Sequence, residues 1–230
     1  YGPCAFMDTY APGTVFSSID THGRYAYANQ PWILLWNMAR LGETLIPQIH
    51  SNKERAIGVL NEALERLQRH YEISWLAGMR TKIGLSIEDD DDLELVNELL
   101  SVMEAGEADF TLVFRRLSQA LCGDVTKARQ LFNDPGSFDS WIQRWHDRLA
   151  REEKTTEATA QSMDRVNPIY IPRNHKVEEA ISSAVDTEDM GLFNNLLAVL
   201  SRPFDEVVGN EVYAEPAPFA AIPYKTFCGT

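Results

Sequence analysis

The side chains in this sequence best suited to chemistry are five histidines, three cysteines and one dense run of carboxylates. His22, His50, His70, His146 and His175 never fall four apart around a glutamate, and none neighbours a cysteine. The spacing by which a helix or finger grips zinc is therefore missing, and these histidines read as surface or hydrogen-bonded groups. Cys4, Cys122 and Cys228 are too few and too scattered for a secreted disulfide framework, and no C-x-x-C occurs, so a reducing compartment fits them better. The run from Glu88 to Asp92 invites comparison with a calcium loop. That loop needs alternating ligands, a central glycine and a glutamate at its twelfth position, and the sequence supplies none of these. Neither a G-x-S-x-G elbow nor a G-x-x-x-x-G-K-[ST] phosphate loop is present. From spacing alone, no complete catalytic constellation and no metal-ligand set can be assembled.

The elements that would position any site are helical. The first 28 residues are punctuated by Gly2-Pro3, Ala11-Pro12-Gly13 and His22-Gly23 and sustain no helical period, which predicts an extended segment. Asn29 or Gln30 can cap a helix with Pro31 in its first turn. Trp32, Leu35, Trp36 and Ala39 then follow at helical spacing, and Pro47 is expected to end the element. Ile57, Leu60, Leu64, Leu67 and Tyr71 form a second stripe that Trp75 and Met79 extend into the longest helix. Carboxylates ahead of Leu93, Val96, Leu100 and Met103 complement the positive end of a helix dipole, so the acidic run reads as a helix start.

Phe110, Val113, Phe114, Leu117 and Leu121 make a stripe that breaks at Gly123. Phe138, Trp141, Ile142, Trp145 and Leu149 repeat it after a short helix near Ala128 and a turn at Asn133-Asp134-Pro135-Gly136. Residues 151–163 are charged, either a solvated helix or a mobile connection. Residues 167–173 hold two prolines with Ile169 and Ile171 alternating, so they should be extended, and Asn174 is placed to cap a helix carrying Val177, Ile181 and Val185. Leu192, Leu196 and Leu200 close the helical part, and the tail beyond Pro203 reads as loop. The fold class is mainly α, with about eight helices and no strand pair.

Hydrophobic residues make up 44% of the chain and charged residues 24%, the balance of a globular protein. A formal charge of −13 without a basic stripe argues against nucleic acid as a partner. No apolar run approaches the ~20 residues that span a bilayer, so no membrane partner is expected. The chain begins at Tyr1 with structured-looking residues and no leader pattern, and it reads as a fragment of something longer.

Four polar, aromatic-rich strings stand out. They are Tyr1-Gly-Pro-Cys-Ala-Phe-Met-Asp8; Val15 to Asp20 running on through Gly23 to Pro31 and Trp36 to Leu41; Asn167 to Ile181; and Tyr224 to Thr230. Turn punctuation and helix caps account for their glycines and prolines but not for so many polar and aromatic residues outside helices. Together, and in order, they resemble the carboxy-terminal half of the selenoprotein O family, with residues 167–181 the most specific stretch.

That resemblance implies the helical large lobe of a protein-kinase-like fold, its small lobe missing. It divides the chain into an activation-segment-like region (1–28), a helical domain (29–203) and a proline-rich tail (204–230). It also implies a protein adenylyltransferase that moves AMP from ATP to Ser, Thr or Tyr hydroxyls of proteins, with ATP and magnesium as cofactors of the whole protein. In the family an aspartate that binds magnesium precedes Tyr1, Gly2 and Pro3. The catalytic aspartate and the phosphate-binding lysine lie upstream, so the isolated fragment is expected to hold no cofactor or metal and to be inactive. Cys4 and Cys228 correspond only in part to the family's two redox cysteines, and whether they pair or Cys4 stays inert is left open. A cytoplasmic location is implied for a bacterial protein and a mitochondrial one for a eukaryotic protein. A kinase-like phosphotransferase and a noncatalytic helical interaction module remain the competing readings.

Overall fold

The computed structural model describes residues 6–218. Among these, helices account for 62% and no strand occurs, so the mainly α expectation holds. Residues 6–26 carry no helix, and a 3-10 turn at Tyr27–Asn29 leads into the first one.

Helix α1 (Gln30–Ile49) has proline in its first turn, where the missing N–H costs nothing. Pro47 does not end it. The helix runs two residues further, because a proline in the last turn removes only one of the final bonds, and it stops where His50 turns extended. Asn52 caps α2 (Lys53–Lys82), its side-chain oxygen accepting from Arg55 N–H at 2.9 Å, and α2 is the longest element. The short link over 50–52 folds α2 back along α1. Gly42 faces Leu60 so closely that an added Cβ would collide with its side chain.

Helix α3 (Asp92–Ala105) begins at the acidic run as expected, but its buried stripe is Leu95, Val96, Leu99, Leu100 and Met103. Leu93 faces solvent, because the helix is rotated to bury Asp92 instead. That carboxylate accepts from Arg80 Nε at 2.6 Å, Arg148 Nε at 2.7 Å and Asp89 N–H at 2.9 Å. Arg148 also donates to Glu152 at 3.0 Å, and Arg151 reaches Asp89 at 2.6 Å. The run therefore meets arginines as well as a helix dipole.

Helix α4 (Phe110–Leu121) is capped by Asp109, which accepts from Leu112 N–H at 2.7 Å. A single turn, α5 (Thr126–Arg129), precedes α6 (Gly136–Leu149). Phe132, Phe138, Trp141 and Trp145 stack in a ladder with ring centroids 4.4, 6.0 and 5.6 Å apart. Both indoles satisfy their buried N–H groups, Trp141 on Leu95 O at 2.9 Å and Trp145 on Ile83 O at 2.8 Å. At roughly 1.5–3 kcal/mol for each fully buried large apolar side chain, this ladder and the α3 stripe form the main core.

The stretch expected to be solvated or mobile contains α7 (Thr156–Asp164), which buries Thr159, Ala160 and Met163 and packs on α4. Small side chains let this polar-looking helix approach closely. Helices α8 (Asn174–Asp186) and α9 (Gly191–Leu200) pair with each other, and one further turn, α10 (Glu211–Ala214), interrupts the tail expected to be loop. Asn174 is the first residue of α8 and not its cap, because its amide is engaged elsewhere. A smaller core of Leu112, Ile169, Tyr170, Val199 and Ala214 joins α4, α9 and α10.

Candidate functional site

Described residues of the first and third strings meet where residues 8–10 cross the N-terminus of α4. Residues 8–10 run antiparallel to 108–110: Phe110 N–H donates to Asp8 O at 2.7 Å and Tyr10 N–H to Ala108 O at 2.9 Å. Arg173, at the end of the extended 167–173 stretch, lies beneath this crossing and is wholly buried. Its Nη1 donates to Asp8 Oδ1 and to Asp109 Oδ2, each at 2.6 Å, and its Nη2 to Asp109 Oδ1 at 3.2 Å. Nε and Nη2 both donate to the carbonyl of Ala214, at 3.1 and 2.6 Å. Asn174 brackets Phe6, donating to its carbonyl at 3.0 Å and accepting from its N–H at 3.4 Å.

Charge at this junction is finely balanced. Burial is the largest influence on Asp109 and pushes its carboxyl up, against the lowering effect of Arg173. Burial also acts to lower Arg173, but its hydrogen bonds to Asp109 and Asp8 outweigh it and hold the guanidinium above its usual value. These two tendencies conflict for one ion pair. The geometry favours the ionised form, since Asp109 receives two guanidinium N–H bonds and one backbone N–H bond while Arg173 cannot give up its proton.

Above the junction is a groove of about 350 Å³ walled by Phe6, Phe16, Tyr27 and Phe110, with Lys82 at its edge. Lys82 donates to Asn167 Oδ1 at 3.1 Å, and the Asn167 amide returns a bond to Lys82 O at 2.7 Å. The ammonium lies 4.8 Å from the centre of the Phe114 ring, and burial lowers its pKa. Tyr10, stacked on Phe110 at 5.6 Å, has its hydroxyl pushed up to about 12 by burial and by its neighbours Tyr27 and Glu104.

Asp20 organises the approach to α1 by accepting from Arg24 and Tyr25 N–H, both at 2.8 Å. The Arg24 guanidinium lies 4.4 Å from the Trp36 ring centre. Asn29 donates to Gly23 O at 2.8 Å. Tyr170 both donates to and accepts from the backbone of Val207, at 3.3 and 3.0 Å. The polar residues of the third string thus tie segments distant in sequence, whereas Asp20 and Asn29 of the second brace their own turn.

Tyr1, Gly2, Pro3, Cys4 and Cys228 lie outside the described residues. Cys122 is exposed and unpaired. Among the described residues no three His, Cys, Asp or Glu side chains are grouped to hold a metal ion. The two carboxylates of the junction, Asp8 and Asp109, both already accept from Arg173, so the junction is an ion-pair cluster and not a magnesium-ligand set. Spacing did not single out Lys82 or Asp109. Asp109 carried one signal, an aspartate immediately before an apolar helical stripe. Lys82 carried none, since only the fold brings it to Asn167.

A family model described as "Protein adenylyltransferase SelO" matches residues 1–201. A protein of Rhizobium leguminosarum bv. trifolii named "Protein nucleotidyltransferase YdiU" is 51% identical over 233 residues. Proteins of the same name from Cereibacter sphaeroides and Rhodopseudomonas palustris are 49% and 46% identical. In each case the match covers 100% of this chain but only 46–47% of the relative, so the chain spans under half the length of the curated relatives it matches.

Proposed function

This chain belongs to the SelO family, and on that premise we propose that it is the helical part of a protein adenylyltransferase that moves AMP from ATP to Ser, Thr or Tyr hydroxyls of other proteins. The observation that carries the reading is the family match over residues 1–201. The acceptor oxygen bonds to the α-phosphorus, the bond from that phosphorus to the β-phosphate oxygen breaks, and pyrophosphate leaves. ATP and magnesium belong to the remainder of the whole protein, in a kinase-like arrangement whose large lobe is residues 29–203. Residues 1–28 are the activation-like segment, with Tyr1, Gly2 and Pro3 following a magnesium ligand, and 204–230 are the tail. Cys4 and Cys228 are the candidate redox pair.

Within this chain the described residues act by holding. Arg173 and Asn174 hold Asp8 and Phe6 of the segment, and Lys82 and the aromatic walls shape the groove beside it. Protein substrates are the partners. The acidic balance disfavours nucleic acid, and no helix among the described residues is long and apolar enough to cross a membrane. The relatives named above are bacterial, and the cytoplasm, where ATP is kept, is the compartment the reaction calls for.

The test uses the full-length protein with ATP labelled at either the α or the γ phosphate. Retention of the α label on protein, with none from γ, is the expected result. Retention of the γ label means a phosphotransferase. Nucleotide-independent partner binding without either label means a noncatalytic module, and each of these two outcomes overturns the proposal.

A further inference from the structure

We infer that Arg173 is a positioning residue for the activity proposed above, and that it acts by fixing the course of residues 6–10 through Asp8. The inference rests on that reading, because residues 6–8 close the string Tyr1 to Asp8 whose first residues are taken to follow the magnesium ligand.

Three features of the junction carry it. First, the guanidinium spends all three of its nitrogens on groups from three distant parts of the chain, Asp8, Asp109 and the carbonyl of Ala214. Second, Asp109 alone already neutralises Arg173 with two bonds, so Asp8 is a second carboxylate on one cation and leaves the junction with an excess negative charge. A pair built only for stability gains little from that second carboxylate, since burying charge is costly and like charges repel. What Asp8 adds is a tether on the segment. Third, the tether is reinforced at its other end: Asn174, the next residue after Arg173, holds both polar backbone groups of Phe6. Two adjacent side chains thus grip residues 6 and 8, while the backbone of Asp8 and Tyr10 bonds to 108–110. Phe6 in turn forms one wall of the groove.

Asp8 is the residue to change, because its side chain is about a quarter exposed and its loss leaves Arg173 still paired with Asp109. In the full-length protein, Asp8→Ala should therefore melt within about 3 °C of wild type, as for other partly exposed pairs. Hydrogen exchange at the amides of residues 6–10 should quicken tenfold or more. The magnesium concentration giving half-maximal AMP transfer should rise by a similar factor. Asp8→Asn, which keeps the accepting oxygen, should fall between wild type and Asp8→Ala in both readouts, and Asn174→Ala should shift both in the same direction. Unchanged exchange in Asp8→Ala shows that the tether does not hold the segment. Faster exchange with an unchanged magnesium requirement shows a merely structural tie. Either result overturns the role assigned to Arg173 while leaving the transferase reading intact. A wild-type protein that transfers no AMP overturns both.

Discussion

Replacing Asp92 by asparagine tests the account of the acidic run most directly. The carboxylate is fully buried and receives the Nε of both Arg80 and Arg148 at 2.6 and 2.7 Å. An asparagine keeps one accepting oxygen, so it can serve one guanidinium, but it turns an amide toward the other. Breaking a buried ion pair by removing one partner costs about 3–5 kcal/mol. Two features place this case near the lower end. Arg148 retains Glu152 at 3.0 Å and the carbonyl of Ile87 at 2.6 Å, and the oxygen of asparagine satisfies one arginine. A loss of about 3 kcal/mol corresponds to about 6–12 °C in melting temperature for a chain of this length. Thermal unfolding followed by far-ultraviolet circular dichroism on the 230-residue chain measures it, with Glu94→Ala as the control. Glu94 pairs with Arg144 on the surface, where such pairs contribute less than about 1 kcal/mol. If Asp92→Asn loses no more than that control, the network is not a buried ion-pair system, and the account of how α3 begins is wrong.

Glu152 provides the pH dependence. Burial acts to raise its carboxyl, but bonds from Ser86, the Ile87 N–H and Arg148 outweigh it and hold it below the usual range. A depressed carboxylate adds stability above its ordinary pKa and loses it as pH falls through the depressed value. Wild type should thus lose stability relative to Glu152→Gln between neutral and acid pH, and parallel melting curves for the two would refute the assignment. Gly84→Ala should cost about 2–4 kcal/mol in urea unfolding: the backbone sits at φ +83°, and a new Cβ would lie 2.8 Å from Thr159 Cγ2 and 2.9 Å from Met163 Sδ. A loss below 1 kcal/mol would show that α7 can move aside.

The helices could be read from the sequence wherever one face was apolar and the flanking residues were caps. Helix α4 shows this best, with Phe110 to Leu121 expected as a stripe and found as the helix, and Gly123 beyond it at φ +98°. The readings failed where a local rule met a tertiary demand. Leu93 belonged to the expected stripe of α3, yet burying Asp92 between two arginines turned it outward. Asn174 has the chemistry of a cap, but Phe6, 168 residues away, claims its amide. The junction itself was legible only as an oddity, polar and aromatic strings that capping did not explain. No periodicity could announce that Arg173 joins residues 8, 109 and 214, since each partner lies on a different element and the bonds depend on how those elements pack. Tyr1, Gly2, Pro3, Cys4 and Cys228 were reached through resemblance alone.

The aromatic ladder of α6 gives the chain built-in optical reporters. Trp141 and Trp145 lie stacked at 14°, close enough for their electronic transitions to couple, and they are shielded from solvent. Trp32 and Trp36, on α1, stand open to water. Emission from the first pair should therefore be blue-shifted and slow to quench with acrylamide, and that from the second pair red-shifted and more readily quenched. Loosening of α1 would therefore change the quenching while leaving the near-ultraviolet dichroism of the ladder untouched, and melting of the core would change both.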